Sequence, residues 1–418
     1  MSRIAVIGSG ISGLAAARYL SRKHEVSVFE KDPRVGGHTH TVTVDSSQGP
    51  LAVDTGFIVH NDRTYPGFCA LMRELGIETQ PSDMSFAVTS RREDFEYSSR
   101  GLSGFFAQRR NIARARHFSL LREIMRFNRE APRLLNEPGS EEITLAAYLE
   151  AGRFDQRFIE RYLYPMASAI WSMPPSDMNH FPALTLIRFF HNHGMLGIHT
   201  HPKWKTLRGG SQAYLKPLCA PFAKRLHVNA DITAVVRGAD GISLQFADRP
   251  AAQFDEVVFA CHGNQILPLL AQPTETERET LQHFRTSRNE VCLHTDSRLL
   301  PRRPAARASW NYLLEAGGGV TMTYHMNRLQ ALRVKEDYCV SLNSNGSVAP
   351  EKVLGRMVYC HPIFDRQAIA AQRRWSEISG HNRTHYCGAW WFYGFHEDGV
   401  KSAQRVAQSL GIEMGATP

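Results

Sequence analysis

The chain has 418 residues, 43% hydrophobic and 21% charged, with a formal net charge of +9 and a pI near 9.3. That balance suits a soluble globular protein with roughly two to three domains' worth of mass, and no apolar run reaches the ~20 residues a spanning helix needs. Seven cysteines, odd in number and without a C-x-x-C pair, argue against a disulfide framework or a cysteine zinc site and fit a reducing cytosol. The mild basic excess admits cofactor phosphates, acidic lipid headgroups or nucleic acid without choosing among them.

"RIAVIG", residues 3–8, is a short apolar run ending in glycine, as a buried parallel strand requires. The opening also has the outline of a signal peptide, one arginine followed by small apolar residues, but its glycines account for it better. Gly8, Gly10 and Gly13 spell G-x-G-x-x-G, "LAAARYLSRK" follows with helix-forming residues, and "EVSVFE" is a second strand. That strand ends in Glu30, twenty residues after Gly10. Strand, glycine turn, helix and acid together form a dinucleotide fingerprint. The helix N-terminus offers free N–H groups to a pyrophosphate, and Glu30 would accept from a ribose hydroxyl. This context alone does not separate NAD from FAD.

"FEKDPRVGGHTH", Phe29–His40, carries the pair Gly36-Gly37 and two histidines spaced i, i+2. On a strand His38 and His40 would share a face. No carboxylate or cysteine stands near them at ligand spacing, so no metal is expected. A Cβ-free pair instead lets backbone run close along an extended ligand.

G-x-G-x-x-G, then Glu30, five residues and GG resembles the flavin-dependent amine oxidase superfamily. That group includes protoporphyrinogen oxidase, phytoene-desaturase-like enzymes and, more distantly, UDP-galactopyranose mutase. The resemblance implies an α/β fold: a Rossmann-like FAD-binding domain with a parallel sheet, and an α+β substrate domain with an antiparallel sheet and helices. It implies a discontinuous FAD domain of residues 1–60, 205–266 and 381–418, with 61–204 and 267–380 forming the substrate domain. It implies FAD contacts at Gly8, Gly10, Ile11, Ser12, Gly13, Glu30, Lys31, Arg34, Gly36, Gly37, His38 and Thr39. Arg34 and His38 would lie near phosphate, and His38 stands where relatives usually carry arginine. "LAVDTGFIVH", residues 51–60, reads as a strand broken at Gly56. It is either a strand with a bulge or, by the resemblance, the segment that sets Gly56, Phe57 and Ile58 beside the isoalloxazine.

From residue 61 the character changes. "YPGFCALMRELGIETQ" looks helical and ends at Gly76. Residues 101–136 look helical and basic: Phe105 to Arg133 holds eight arginines and two acids. Phe118, Leu121 and Met125 fall on one face of that helix. It is either a solvated capping face or a peripheral membrane-surface contact. Helices over 156–173 and 181–196 carry large apolar residues, including Trp171, Phe189 and Phe190, which suit either a core or a substrate tunnel. Nucleic acid is not an expected partner, since no recognised binding module interleaves exposed aromatics with the basic residues.

Residues 206–262 read as a glycine turn, a helix and three short strands, similar to the superfamily's second FAD-contacting section. The resemblance places the Ile232 backbone at adenine, with "ACHGN" where a proline-containing turn is common. Residues 267–380 hold four strands bounded by turns, implying an antiparallel sheet. His385–Gly411 reads as strand, loop and helix. By resemblance Gly388, Phe395, His396 and Val400 lie at the flavin, and the helix dipole faces its pyrimidine.

Two features depart from amine oxidases. Asn289 or Glu290 stands where a lysine near flavin N5 is usual, and Phe395 replaces one tyrosine of the aromatic cage. Both point from amine oxidation toward hydride removal from a hydrophobic lipid, fatty-acyl or isoprenoid-like substrate. A flavin-dependent isomerase or mutase and a non-catalytic flavoprotein partner are the alternatives. Tyr312, Tyr324, His325 and His396 are candidate substrate-side groups, each equally a buried ring with a satisfied hydrogen bond. No G-x-S-x-G elbow supports serine hydrolysis. The expected location is the cytoplasm, with peripheral membrane contact left open.

Overall fold

The computed structural model describes residues 1–171, 173, 177–197, 202–315 and 320–414. The elements that frame the site are, in chain order, β1 (Arg3–Ile7), α1 (Ile11–Leu20), β2 (Glu25–Phe29), α2 (Pro66–Glu74), α3 (Ala115–Glu130), α4 (Ala183–Asn192), β3 (Glu256–Phe259), β4 (Arg285–His294), β5 (Val353–Ile363), β6 (Thr384–Tyr386) and α5 (His396–Ser409).

Five strands form a parallel sheet in the order Leu226–His227, β2, β1, β3, β6. β1 and β3, fully or nearly buried, are continuous apolar runs, as strands covered on both faces must be. α1 and α5 pack against each other beside this sheet, and α2 packs on α5. Tyr65, Phe68, Leu71 and Met72 share the apolar cluster of α1 and α5, so α2, just past residue 60, packs with the first strands' helices. A three-stranded antiparallel sheet of Ile232–Gly238, Gly241–Phe246 and Ala252–Phe254 stands to one side. Its Arg237 forms a bidentate pair with buried Glu277, which also accepts from the Tyr386 hydroxyl of β6.

The second large sheet has seven strands: β5, β4, Cys339–Leu342, Val320–His325, Trp310–Leu314, Phe86–Ser90 and Phe95–Ser98. It is antiparallel except where Trp310–Leu314 runs parallel to Phe86–Ser90. Alternation decides its faces: Val291 and Leu293 enter the largest apolar cluster, while Cys292 turns to a small one behind. Helices from 101–196 cover the first face, joining Phe127, Phe158, Trp171, Phe189 and Phe190 to the sheet.

Several expected helices are shorter or broken. Residues 101–136 divide into Gly101–Phe105, a 3-10 turn at Arg109–Ala113, α3, and a 3-10 turn at Ala131–Asn136. α3 buries His117, Leu120, Glu123 and Phe127. Phe118 and Met125 face solvent, because the buried polar pair is satisfied locally: His117 on the Phe105 carbonyl and Glu123 by Arg126. The helix over 156–171 contains a π turn at Ile159–Leu163, beside Pro165, which has no N–H to continue the ladder; Ser172 lies outside the described residues. Pro217 and Pro221 cut the helix after the glycine turn to Leu215–Cys219 between 3-10 turns. β5 is a strand that sequence reasoning missed; it lies at the sheet edge, where its Pro362 is tolerated.

Candidate active site

The glycine turn between β1 and α1 is a cradle. A Cβ on Gly13 would stand 2.0 Å from the Gly8 carbonyl oxygen, so only glycine lets the helix start this close to the strand. A Cβ on Gly10 would meet nothing within 4 Å, which leaves open space over the first turn of α1. Ile11, Ser12 and Gly13 open that helix, and their N–H groups have no carbonyl within it to donate to. Glu30 ends β2 beside the turn. Its Oε2 accepts from the Ser9 N–H at 2.9 Å and the Ser9 hydroxyl at 2.5 Å, and its Oε1 accepts from the Asp32 N–H at 3.0 Å. Lys31 points outward to Asp231 at 3.5 Å.

The Gly36-Gly37 loop lies against this turn. The Gly36 N–H donates to the Ser9 carbonyl at 2.9 Å, and a Cβ on Gly37 would stand 3.2 Å from Gly10 Cα. Arg34 clamps the loop by donating to the carbonyls of Val35, Gly37 and Thr39. Phe57 N–H donates to the His38 carbonyl at 2.8 Å, so the 54–58 segment runs beside 38–40, with Ile58 partly buried in the apolar cluster. Buried Asp54 binds this region to the later chain: it accepts from Thr41, Ser211 and Gln330. Burial raises its pKa to about 6.

At the start of α5, His396 stacks on Phe57 with ring centroids 3.6 Å apart. Its Nε2 lies 3.1 Å from the Thr39 hydroxyl and 3.3 Å from the Tyr214 hydroxyl. Burial, then the charge of His60, lowers its pKa to about 3, so this ring is neutral at physiological pH. Phe395 precedes the helix and stacks on Phe189 of α4 at 5.0 Å; Phe189 lies 4.9 Å from Trp171. Gly388 N–H donates to Ser402 of α5, and Val400 is fully buried in the α1–α5 seam. Ile232 is buried at a bulge in its hairpin, its N–H on the Ala230 carbonyl.

A second cluster meets the loop from the seven-stranded sheet. His38 lies 5.0 Å from the Tyr359 ring, 5.2 Å from His361 and 6.0 Å from His262. The Tyr359 hydroxyl bridges His40 Nδ1 at 2.8 Å and the Thr55 hydroxyl at 2.7 Å. Asn289 of β4 places its amide 2.9 Å from His361 Nδ1 and accepts from Asn343 at 2.9 Å. Burial, followed by neighbouring histidines, holds His38 well below its ordinary pKa, and burial takes His361 to about 4. Asn289, one of the two residues that the resemblance sets where a lysine is usual, therefore pairs with a neutral His361 here.

Tyr312 and Tyr324 project from neighbouring strands on one face of that sheet, paired opposite Met322 and Trp310. The Tyr312 and Ser168 hydroxyls are buried facing each other, with no other hydrogen-bond partner in the protein. His325 is engaged elsewhere, its Nε2 2.9 Å from the Asp337 carboxylate. Tyr359 and His361 went unnamed in sequence reasoning because β5 was missed. The alternation of Met357, Tyr359 and His361 was the available signal.

FAD fits these residues. Open space above Gly10 and the unpaired N–H groups of α1 suit a pyrophosphate. His38 Nε2 is buried with no partner in the protein, one residue after Gly37. A cofactor oxygen beside the glycine loop would give that nitrogen its partner.

A family model described as flavin containing amine oxidoreductase matches residues 11–354. The chain is 47% identical over 55 residues to a 4,4'-diapophytoene desaturase of Staphylococcus aureus, covering 12% of this chain and 11% of that protein. It spans less than a fifth of the length of the curated relatives it matches. Its fold is similar to that of putrescine oxidase bound to putrescine, with TM-score 0.69, 15% identity, and 98% of each chain covered. It is also similar to a CLA-producing fatty acid isomerase from P. acnes, with TM-score 0.71, 15% identity, 98% of this chain and 99% of that one.

Proposed function

The chain belongs to the flavin containing amine oxidoreductase family, and from that premise we propose that it is an FAD-dependent oxidoreductase acting on a hydrophobic, lipid, fatty-acyl or isoprenoid-like substrate. The observation that carries this reading is the aromatic wall Trp171–Phe189–Phe395, which runs from the apolar helical layer to the N-terminus of α5. Apolar rings of this kind hold an apolar chain by burial, about 25 cal/mol for each Å² removed from water, and they offer an ammonium group no carboxylate. The neutral Asn289–His361 pair supports the same reading, because it lacks the amine of the amine oxidases.

Gly10 and the first turn of α1 would hold the pyrophosphate, Glu30 a ribose hydroxyl, and the α5 N-terminus the pyrimidine edge. Bound FAD supplies the acceptor for a hydride leaving a substrate carbon. The chain's part is to orient that carbon and exclude water. Tyr312 and Ser168, two hydroxyls that face only each other in an apolar surround, are suited to fix the polar end of such a substrate. The fatty acid isomerase and the diapophytoene desaturase are named for apolar substrates, which agrees with this assignment.

Anaerobic mixing of FAD-loaded protein with long-chain unsaturated fatty acids, isoprenoids and primary amines tests it. Visible flavin absorbance is expected to bleach with a member of the apolar panel and to persist with the amines. Bleaching by amines alone sinks the proposal. Isomerised product with no acceptor consumed would assign an isomerase instead.

A further inference from the structure

A cavity lies away from the flavin cradle, between α3 and Phe95–Ser98. It holds about 260 Å³ and is lined by Arg114, Arg116, Arg157 and Arg161, with Glu93 and Asp94 as its acids. Both acids are engaged: Glu93 pairs with Arg161 and Asp94 with Arg110. Among the described residues Arg114, Arg116 and Arg157 have no carboxylate within ion-pair distance. Desolvation, then the like charges of Arg110 and Arg116, lowers the Arg114 pKa. Three guanidinium groups without an ion-pair partner around one cavity, with Asp94 the acid nearest Arg114, form a site for an oxyanion.

An independent observation concerns the surface around it. Eight large hydrophobic side chains are exposed among the described residues, and four of them crowd into residues 102–125. They are Leu102 at 74%, Ile112 at 58%, Phe118 at 46% and Met125 at 55% exposure. Phe118, Arg122, Met125 and Arg129 follow at spacings of four, three and four along α3, a single outward stripe of alternating rings, thioether and guanidinium. Gly101–Phe105 leads into that stripe, because the Phe106 ring that follows it lies 5.4 Å from Phe118. A soluble phosphate compound would use the arginines and leave the apolar side chains wet. A lipid surface uses both, burying the apolar groups at the acyl boundary and holding phosphate in the cavity. No helix among the described residues is long and apolar enough to cross a membrane.

We infer that the Gly101–Phe105 and α3 face docks on anionic phospholipid membranes, with the Arg114–Arg116–Arg157 cavity seating a headgroup phosphate. The inference stands apart from the hydrophobic-substrate proposal, since docking is measured without turnover.

The test is co-sedimentation of FAD-loaded protein with vesicles of phosphatidylcholine alone or doped with phosphatidylglycerol, at low and high salt. The wild type is expected to sediment with the doped vesicles, and salt is expected to release it. The R114Q/R116Q/R157Q variant is expected to lose about fivefold in affinity for each arginine removed. The I112S/F118S/M125S variant is expected to bind more weakly with its salt dependence intact. Flavin content and melting temperature of both variants should match wild type, because every altered side chain is on the surface or the cavity rim. Absence of sedimentation with the doped vesicles at low salt overturns the inference, as does binding that neither variant weakens. It is also overturned if free glycerol phosphate binds as tightly as the vesicles do and the serine variant is unaffected, since the ligand is then a soluble phosphate.

Discussion

Asn289 is one of the two residues, with Glu290, that the resemblance sets where amine oxidases carry a lysine. Its amide is 2% exposed, donates to Ser287 and lies 2.9 Å from His361 Nδ1, with Asn343 on its oxygen. A lysine here would bring an ammonium into a neutral pocket among His361, His38 and Tyr359, where no carboxylate is a partner in these contacts. N289K is therefore expected to destabilise the protein by about 3 kcal/mol near pH 7, the range for an unpaired buried charge. The sign of its pH dependence follows from desolvation, which lowers a buried lysine's pKa. The unfolded chain then binds the extra proton, so stability returns as pH rises toward 10. Urea unfolding of the variant at pH 7 and pH 9.5 checks this, and equal losses at both values would refute a buried-charge origin. Sequence order left Asn289 and Glu290 as the two choices, and His361, the partner that distinguishes Asn289, sits on a strand whose proline disguised it. Pairing of β4 with β5, a contact between residues some seventy apart, made the cluster.

Between elements, the decisive contact is the seam of α1 and α5. A Cβ on Gly399 would stand 2.7 Å from Ile11 Cγ2 and 2.8 Å from the Ser12 hydroxyl, in the turn of α1 that faces the cradle. In a free helix a Gly-to-Ala change stabilises by about 0.5–1 kcal/mol. Overpacking a tight interface costs about 1–3 kcal/mol. The second effect wins here, so G399A is expected to lower stability by about 1 kcal/mol and to reduce FAD bound per chain, by pushing on Ile11 and Ser12. Thermal melting and the ratio of flavin to protein absorbance measure both; a variant that melts higher than wild type and holds full flavin would show that the seam is loose. This seam was legible only in part. The glycine fingerprint and Glu30 identified the α1 half, because those residues answer to local backbone geometry and phosphate chemistry. Gly399 and the Glu397 carboxylate that caps α2 through the N–H groups of Gly67 and Phe68 answer to partners over three hundred residues away. The same limit explains α3: periodicity found its apolar residues, but burial of His117 and Glu123 decided which face points inward.

Across the whole molecule, two sets of buried groups oppose each other in their response to pH. Eleven histidines are held below their ordinary pKa, with burial the first cause in each, among them His38, His60, His193, His361 and His396. A depressed histidine adds stability above pH 6.5 that is lost as pH falls through its folded value. Burial raises Asp54 to about 6, Asp398 to about 7, and Glu397 in the same direction. These carboxyls act with the opposite sign, their contribution present near pH 4 and lost as pH climbs to 7. From pH 6.5 down to 5 the unfolded chain takes up protons at these histidines, while His60, His193, His294 and His361, held near 4, and His396, held near 3, stay largely neutral in the fold, and Asp54 and Asp398 are the carboxyls that gain protons there. Each net proton changes stability by about 1.4 kcal/mol per pH unit, so the histidines win and the FAD-loaded protein should lose stability steeply below pH 6.5. D398N, with its Phe395 N–H partner still satisfied by the amide oxygen, removes one opposing carboxyl and should make that loss steeper. Guanidinium midpoints measured at pH 7.5, 6.5, 5.5 and 5 for wild type and D398N decide the matter. A wild-type midpoint that holds or rises toward pH 5 would mean that the histidines take up protons inside the fold, and that the cluster around His38 is not neutral.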